Sequence, residues 1–397
     1  MNLLFLTLLD FKTLDEQNIY TDLLRLFVKK GHNVVVISPT ERRNGENTHV
    51  ISKDNYKILK LKIGNIQKTN IIEKGISTVL IESQFTAAIK KYLKDIKFDM
   101  VMYSTPPITF ANVIKFVKKR DNAKSYLLLK DIFPQNAVDL GMFSKSSPIY
   151  KFFRSKEKRL YTVSDRIGCM SDANVRFVLE HNPKVPPEKV EVCPNAIEVK
   201  DSIILPEERE QIREKYEIPL DKTVFIYGGN LGKPQGIDFL IECLKSQKDS
   251  EDVFFVIVGS GTEYQKLNDY YSSGEQKNIK LMPSVSRDDF DKLVAACDVG
   301  MIFLDKRFTI PNFPSRLLSY MQAGIPTFAV TDVNTDIGEV IRAGDFGWWS
   351  ESGNLEAFVS VMSEISASSL EDKGANARKY LLENYTVESN YKIIMEQ

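Results

Sequence analysis

The chain is poor in the residues that build metal centres and disulfide frameworks. It has 397 residues but only four cysteines, never spaced as a CxxC pair, and three histidines, His32, His49 and His181. This scarcity argues against a zinc site and a disulfide-stapled fold, and it suits a reducing cytoplasm. His32 follows Gly31 where a helical pattern ends, so we expect it to have a structural role. A GxSxG segment is also missing, which leaves a serine hydrolase unsupported.

Long hydrophobic runs are missing as well. No segment approaches the roughly 18 apolar residues of a membrane-spanning helix. The opening MNLLFLTLL has neither the basic flank nor the small-residue cleavage site of a signal peptide, and Asp10 interrupts it. We therefore predict a first buried strand in a cytoplasmic protein. The 43% hydrophobic and 27% charged residues are typical of a globular chain.

The chain has no excess of charge of either sign, since 53 basic residues balance 53 acidic ones. The two halves differ, however. Residues 1–200 hold 33 basic and 21 acidic residues, and the remainder holds 20 and 32. This asymmetry indicates that the amino half meets something anionic. Solvated helix faces that happen to carry charge of different sign in the two halves would explain the charge asymmetry equally well.

Short apolar runs alternate with amphipathic helical patterns in both halves, which predicts parallel sheets covered on both faces. An acidic, proline-bearing segment at 199–221 is predicted to connect the halves. We expect one domain at 1–198 and another at 199–380, with a helix at about 381–397 packing back on the first. The predicted strands are NLLFLTLL, NVVVISP, DMVMYSTPP, SYLLLKDIFP, RIGCMS, VEVCPNAI, TVFIYGG, VFFVIVGSG, IKLMPSV, VGMIFLD and PTFAV.

Two helix starts in the second half suit phosphate binding. The stretch YGGNLGKPQG (227–236) leads from a strand to a helical pattern, where free N–H groups attract anions. In NFPSRLLSYMQAGIP, Pro314 suits the first helical position and Ser315 and Arg316 follow in the first turn. The two stretches together suit one pyrophosphate. Taken alone, the first stretch could be an ordinary strand-to-helix turn, and Arg316 in the second could be a surface residue. The chain has neither a P-loop nor a GxGxxG fingerprint.

Several motifs spread along the chain carry a family resemblance. They are KKGHNVVVIS, YSTPPITF, LLLKDIFPQNAVDLG, PEKVEVCPNAIE, YGGNLGKPQGIDFLI, FFVIVGSGTE, ACDVGMIFL and PSRLLSYMQAGIP. In them the chain resembles the family-4 glycosyltransferases, especially the subgroup similar to N-acetyl-L-fucosamine-type transferases of capsule and O-antigen synthesis. KDIFPQNAVDLG resembles that subgroup's RDLWPE-x-A segment, and GNLGKPQG resembles its GNLG-x-x-QG.

The resemblance implies an α/β protein of the GT-B fold, with two Rossmann-like doubly wound domains facing across a cleft. The amino domain would bind the acceptor, a polyprenyl-diphosphate-linked saccharide. The carboxyl domain would bind the donor, a nucleotide-diphosphate sugar that is UDP-linked and carries, as one option, an N-acetylated deoxy-sugar. Transfer would retain anomeric configuration without a metal or cofactor, which agrees with the lack of a DxD motif between strands. No nucleic-acid partner is expected.

The resemblance also assigns site residues. Asp131, in LLLKDIFP, is the catalytic candidate and would orient substrate hydroxyls, although a carboxylate that caps the following turn is an equally good account. The residues expected at the donor diphosphate are Gly229, Asn230, Gly232, Lys233, Ser315 and Arg316. Those expected at the donor nucleotide or sugar are Gly259, Phe313 and Ser319.

The chain departs from the family pattern at several positions. Ser319 and Pro311 stand where many members have the two glutamates of a Glu-x7-Glu motif, and Asn230 and Gln235 replace basic residues. TLLDFKTLDEQNIYTD stands in place of a glycine-rich amino-terminal loop. These differences keep two alternatives open. One is another GT-B enzyme, such as a nucleotide-sugar epimerase or a phosphorylase-like protein, and the other is a non-catalytic partner subunit.

A basic segment in the amino half suits an anionic membrane surface. Residues 144–161 (SKSSPIYKFFRSKEKRLY) combine aromatic side chains with six basic residues, and 116–124 is a second basic stretch. We expect peripheral attachment to the inner face of the cell membrane. A solvated helix with its aromatic residues in the core is the alternative. The six basic residues are Lys145, Lys151, Arg154, Lys156, Lys158 and Arg159.

Overall fold

The structure is a computed structural model that describes residues 1–53, 55–66, 71–274 and 276–396. The chain forms two compact units. Unit 1 comprises Met1–Ala196 and Val387–Gln397, and unit 2 comprises Ile197–Thr386. The predicted division was 198/199, with a final helix at about 381–397, of which Gln397 lies outside the described residues.

The sheet of unit 1 is parallel except at one edge. Its strands are β1 (Asn2–Leu6), β2 (Asn33–Glu41), β3 (His49–Ser52), β4 (Tyr56–Ile63), β5 (Met100–Ser104), β6 (Lys124–Leu129), β7 (Arg166–Cys169) and β8 (Val190–Val192). The spatial order is β3-β4-β2-β1-β5-β6-β7-β8, and only β3 runs antiparallel to its neighbour. β1 is central and its Leu3–Leu6 segment is fully buried, as expected for a continuous apolar run between two helical layers.

Helices cover the sheet of unit 1, and polar side chains define where two of them begin. The Asn18 side chain accepts from the Thr21 backbone N–H at 3.0 Å ahead of the first helix. The Ser147 hydroxyl accepts from the Tyr150 N–H at 3.1 Å ahead of the fifth, which has Pro148 at its first position. The helices are α1 (Ile19–Lys29), α2 (Ile71–Tyr92), α3 (Ala111–Asp121), α4 (Gln135–Asp139), α5 (Pro148–Val163) and α6 (Asp172–His181).

The sheet of unit 2 is entirely parallel. Its strands are β9 (Thr223–Asn230), β10 (Val253–Ser260), β11 (Ile279–Met282), β12 (Val299–Phe303), β13 (Thr327–Thr331) and β14 (Gly347–Glu351). In the order β11-β10-β9-β12-β13-β14, the direction of winding reverses beside β9. Ligands of open α/β sheets bind at the carboxyl end of the strands at such a reversal. The glycine-rich stretch begins there.

Unit 2 has helices on both faces of its sheet. They are α7 (Pro206–Lys215), α8 (Ile237–Ser246), α9 (Tyr264–Ser272), α10 (Arg287–Ala295), α11 (Arg316–Ala323), α12 (Ile337–Ala343), α13 (Leu355–Ser366) and α14 (Leu370–Asn384). The fully buried rings of Phe225 and Phe328, on β9 and β13, lie in the core beneath them.

The sequence predictions missed or misplaced several elements. β3, β4 and β14 were not predicted, although the alternating YKILKLKI of β4 is a strand pattern. The stretch 199–221 was interpreted as a connection because it is acidic, but it contains α7. Arg213 of that helix is 3% exposed and donates to Asp298 at 2.7 Å, which attaches α7 to unit 2. The helix after Pro314 begins later than expected, at Arg316.

The last helix, α15 (Val387–Met395), packs on unit 1. Its Tyr391 hydroxyl lies 2.8 Å from His32 Nε2, and its ring packs edge-on against Phe27 of α1. His32 therefore has a structural role. In the part of the chain that the structure describes, no helix is both long enough and apolar enough to cross a bilayer.

Candidate functional site in unit 2

The glycine-rich stretch forms an exposed turn at the carboxyl end of β9. Gly229 has φ +118°, a conformation that a side chain disfavours, and it is exposed together with Asn230. The turn continues through one 3-10 turn to Gly236, which precedes α8 and has φ +56°. The backbone of Gly229 and Asn230 is thus exposed at the point where the sheet reverses direction.

One side chain braces this turn from within. The Gln235 Oε1 accepts from the Gly232 N–H at 3.1 Å and from the Asn230 side-chain amide at 2.9 Å. Gln235 and Asn230 therefore satisfy each other, and neither brings a charge to the turn. Lys233 is exposed and has no ion pair with any residue that the structure describes. The positive charge of the turn therefore comes from Lys233.

The structure brings Arg316 and the glycine-rich turn together, as the sequence analysis expected. A Cβ atom placed on Gly229 would lie 3.7 Å from Arg316 Nη2. The guanidinium lies over the Tyr227 ring, 4.4 Å from its centroid, which favours the cation. Burial opposes the charge, but the rings of Tyr227 and Tyr320 raise the pKa of Arg316.

Arg316 has no carboxylate partner among the described residues, and its Nη1 is buried without a hydrogen-bond acceptor. A buried cation that lacks an anion is costly, so such groups are usually paired. Ser315, the residue before α11, is exposed, and its hydroxyl does not cap the helix. The Ser315 hydroxyl thus remains available beside the guanidinium. The Leu317 and Leu318 N–H groups are already bonded within the first turn, at 3.3 and 3.1 Å.

Two of the expected nucleotide or sugar contacts have structural roles here. The Phe313 side chain is 4% exposed and packs against Tyr385, with ring centroids 5.9 Å apart. Any contact of Phe313 with a ligand would therefore come from its backbone. Gly259 pairs with Gly229 across β9 and β10, and a Cβ on Gly259 would lie 2.0 Å from the Gly229 carbonyl oxygen. Glycine at 259 is required for this strand pairing.

Ser319 lies one turn beyond Arg316 on α11 and is bonded to a residue that the sequence analysis did not single out. Arg287 Nη2, at the start of α10, donates to the Ser319 hydroxyl at 3.1 Å. Arg287 also pairs with Asp291 at 3.1 Å. Pro311, at the other family glutamate position, is buried and has no carboxylate. Because Arg287 and Ser319 are 32 positions apart, no local sequence motif predicts their contact.

Asp131 lies in unit 1, in the turn that follows β6. Both carboxylate oxygens accept from the Asn136 side-chain amide, at 2.8 and 2.9 Å. Burial raises the pKa of Asp131 to about 6, against the opposing effect of hydrogen bonds from Ile132 and Asn136. The carboxylate is thus held in one orientation. Both interpretations of this residue, as a ligand-orienting group and as a turn cap, agree with that geometry.

The stretch between β1 and α1 replaces the glycine-rich loop of the family, and buried cations hold it. Lys60 of β4 is 3% exposed and forms an ion pair with Asp10. Its ammonium also donates to the carbonyl oxygens of Phe11 and Pro39, at 3.0 and 3.3 Å. Arg25 Nη1 donates to the Leu14 carbonyl at 2.5 Å. The loop is therefore ordered by contacts within its own unit.

The basic segment of 144–161 is only partly free to meet a partner. Lys156 lies 3.2 Å from Glu82, and Arg159 donates to Asn112 at 2.8 Å. Arg154 is engaged by Glu157, at 2.5 Å. The remaining three, Lys145, Lys151 and Lys158, are exposed and form no ion pair within the described part of the chain. On the same segment Ile149 and Phe152 are 55 and 46% exposed, and Met142, two residues before it, is 67% exposed.

Potential metal ligands are dispersed in both units. Over residues 1–53, 55–66, 71–274 and 276–396, no three or more histidine, cysteine, aspartate or glutamate side chains gather as a metal site would require. All four cysteines are buried free thiols.

The fold defines the class of protein. A solved structure of HepE from Anabaena, in complex with UDP-glucose, matches 100% of this chain and 98% of its own, with a TM-score of 0.68 and 14% sequence identity. Two Rossmann-like units in one chain are the architecture of the GT-B glycosyltransferases.

The family follows from the sequence comparisons. The family model "Glycosyltransferase Family 4" matches residues 17–201, and "Glycosyl transferases group 1" matches residues 208–383. The chain belongs to the family-4 glycosyltransferases. WbjE of Pseudomonas aeruginosa, named as a probable glycosyltransferase, is 23% identical over 82% of this chain and 80% of its own. WcaI of Escherichia coli K12, named for colanic acid biosynthesis, is 22% identical over 62% and 60%.

Proposed function

We propose that this glycosyltransferase moves a sugar from a UDP-linked donor to a polyprenyl-diphosphate-linked saccharide during surface polysaccharide synthesis. Transfer proceeds with retention of anomeric configuration and without a metal ion. The names of two relatives support this proposal, because WcaI is named for the synthesis of a polysaccharide and HepE was crystallised with UDP-glucose. Unit 2 takes the donor and unit 1 takes the acceptor.

The observation that carries the proposal is the arginine without an anion. Arg316 Nη1 is buried with no acceptor in the described part of the chain, beside an exposed turn whose Gly229 leaves room for a ligand. A diphosphate supplies two anionic groups, which a guanidinium and nearby ammonium and hydroxyl groups can bind. Arg316, Lys233 and the Ser315 hydroxyl would then stabilise the charge that develops on the leaving UDP. These groups take the part that a divalent cation has in metal-dependent transferases.

Asp131 is our candidate for the acceptor side of the reaction. Its carboxylate, oriented by Asn136, would accept a hydrogen bond from the sugar hydroxyl that attacks the donor. A pKa raised to about 6 by burial keeps Asp131 largely ionised at neutral pH and still able to take a proton. The donor's own phosphate remains a second possible proton acceptor.

UDP binding tests the donor site directly. We expect Arg316→Ala to weaken UDP binding about 100-fold, because each hydrogen bond to a charged group is worth about 1.5–3 kcal/mol. Arg316→Lys should bind with intermediate affinity, since an ammonium keeps the charge and loses the forked geometry. Arg342→Ala, at an exposed arginine of α12, is the control. Isothermal titration calorimetry measures all four proteins, and wild-type affinity in Arg316→Ala would exclude this site.

Turnover tests the class of reaction. We expect the protein to release free sugar slowly from a UDP-sugar, and EDTA to leave that rate unchanged because no divalent ion takes part. Loss of turnover in EDTA that Mg²⁺ or Mn²⁺ restores would contradict the metal-independent mechanism. If UDP binds but no donor or acceptor yields product, the non-catalytic alternative would be favoured.

The acceptor's lipid anchor suggests where the protein works. We propose that α5 and the residues before it dock on the anionic inner face of the cell membrane, with the protein otherwise in the cytoplasm. Lys145, Lys151 and Lys158 are exposed there beside the exposed apolar side chains of Ile149 and Phe152. Basic residues at an anionic surface contribute about 1 kcal/mol each, and apolar side chains add burial at the interface.

Vesicle binding tests this docking surface. Replacement of Lys145, Lys151 and Lys158 by glutamine should weaken binding to phosphatidylserine-containing vesicles about 100-fold, given about 1 kcal/mol per basic residue. The same change at Lys90, Lys91 and Lys94, which are exposed on or just after α2, removes equal charge and should have a smaller effect. Equal losses in both variants would show that net charge, not this surface, governs binding.

A further inference from the structure

The two walls of the proposed donor site are joined by one connection, residues 304–315, between β12 and α11. At its beginning, the Asp305 N–H donates to the Pro234 carbonyl of the glycine-rich turn at 2.9 Å. A Cβ on Gly236 would lie 3.3 Å from the Asp305 Cα, so the two segments are in close contact. At its end, the connection leads through Ser315 into Arg316. The course of the connection therefore determines how far Arg316 lies from the turn.

A buried relay of hydrogen bonds holds the middle of this connection. The Asn312 N–H donates to the Thr335 hydroxyl at 3.0 Å, and that hydroxyl donates to Asp332 Oδ2 at 3.1 Å. Thr335 is 5% exposed and Asp332 is 1% exposed. Thr335 can serve both partners only because a hydroxyl donates and accepts at once.

The carboxylate at the end of the relay is itself fixed. Asp332 Oδ1 accepts from the backbone N–H groups of Asn334 and Thr335, both at 2.9 Å. The Asn334 side-chain amide donates to the Phe308 carbonyl at 2.6 Å, which gives the connection a second attachment. Burial raises the pKa of Asp332 to about 6, and the hydrogen bonds from Thr335 and Asn334 oppose that rise. Segment 332–335 thus grips the connection at 308 and at 312.

We propose that Asp332 and Thr335 are positioning residues of the donor site, which act through Asn312 to place Arg316 opposite the glycine-rich turn. This inference rests on the proposed function, since it concerns the same site. Neither side chain needs to touch the donor. Arg316 follows Asn312 by four residues, so a shift of the connection moves the guanidinium, and small misplacements of binding groups are costly.

Three threonine variants separate positioning from simple destabilisation. Thr335→Val removes the hydroxyl at nearly constant volume. We expect it to weaken UDP binding about tenfold, because a displaced Arg316 would keep only part of its contact with UDP. Thr335→Ser keeps the hydroxyl and should bind UDP within about twofold of wild type. The matched control is Thr327→Val, because Thr327 is fully buried on β13 and its hydroxyl has no partner in the described chain.

Hydrogen exchange of the Asn312 amide reports the relay without any ligand. We expect fast exchange in Thr335→Val and protection in wild type, Thr335→Ser and Thr327→Val. Wild-type UDP affinity in a folded Thr335→Val protein, or weak binding in Thr335→Ser, would overturn the positioning role. If the wild-type protein itself does not bind UDP, that result contradicts both the proposed donor site and the positioning role. The exchange data then still show whether the relay anchors the connection.

Discussion

The two units share an architecture but treat their charged side chains differently. In unit 1, Lys60 is surrounded by Asp10, Ser38 and two carbonyl groups, and Asp131 is held by Asn136. In unit 2, Arg316 has an aromatic ring beneath it and no carboxylate partner among the described residues. The buried charges of Lys60 and Asp131 thus have partners within unit 1, whereas the Arg316 guanidinium of unit 2 is left for a ligand to complete. This difference, rather than the fold, supports our proposal that unit 2 takes the donor, because the fold is common to both units.

The largest expected effect is on the strand pairing beneath the glycine-rich turn. Gly259→Ala would place a Cβ 2.0 Å from the Gly229 carbonyl oxygen, a backbone atom that cannot rotate away. We expect a loss of more than about 3 kcal/mol in the free energy of unfolding, since overpacking against fixed atoms typically costs 1–3 kcal/mol and sometimes more. Chemical denaturation of the two-unit chain should show the lower-stability transition moving to less denaturant.

The control for that variant lies in unit 1. Gly45 has φ +75° and open space around its Cβ position, so Gly45→Ala should cost only the backbone penalty of about 1–2 kcal/mol. Equal losses in the two variants would show that the close approach of β9 and β10 is not what Gly259 provides.

A smaller effect is expected when the internally satisfied cation of unit 1 is removed. Lys60→Met should destabilise the protein by about 2–3 kcal/mol, because Asp10 and the carbonyl groups of the loop lose their buried donor. UDP affinity should stay within about twofold of wild type, since unit 2 is untouched. Thermal unfolding and calorimetry measure the two quantities. A large loss of UDP affinity would break the contrast between the units.

The smallest expected effect is an increase, not a decrease, in the free energy of unfolding. Asp131 has a folded-state pKa of about 6, raised by burial, so its stabilising contribution is present below its ordinary pKa near 3.8 and is lost as the pH rises through 6. Asp131→Asn should therefore raise the free energy of unfolding at pH 7.5 by about 1 kcal/mol and have little effect near pH 4. Transfer activity should fall at least tenfold if the carboxylate orients the acceptor.

Denaturation at the two pH values, together with a transfer assay at pH 7.5, measures both consequences of Asp131→Asn. A variant that is less stable at pH 7.5 and fully active would favour the interpretation of Asp131 as a turn cap. Greater stability with lost activity would favour the role on the acceptor side.

Sequence patterns were sufficient for the architecture and for part of the candidate site. The alternation of apolar runs and helical spacing predicted both sheets except for β3, β4 and β14, and the convergence of the glycine-rich turn with Arg316 was expected from two local motifs. The helix α7 was not predicted, because its surface is acidic and its attachment to unit 2 depends on an ion pair between Arg213 and the distant Asp298. The roles of Lys60, Arg287 and Thr335 were not predicted from the sequence for the same reason. Each acts through a hydrogen bond to a residue between 23 and 50 positions away, which leaves no local signature.

The return of α15 to unit 1 has a consequence for synthesis on the ribosome. Residues 197–386 leave the exit tunnel before Val387–Met395, so unit 2 is complete while unit 1 still lacks a helix that covers Phe27 and His32. Until that helix arrives, the nascent amino-terminal unit exposes apolar surface to chaperones and proteases. Proteins truncated before Val387 should therefore fail to fold in unit 1, although the deletion is made at the carboxyl end of the chain.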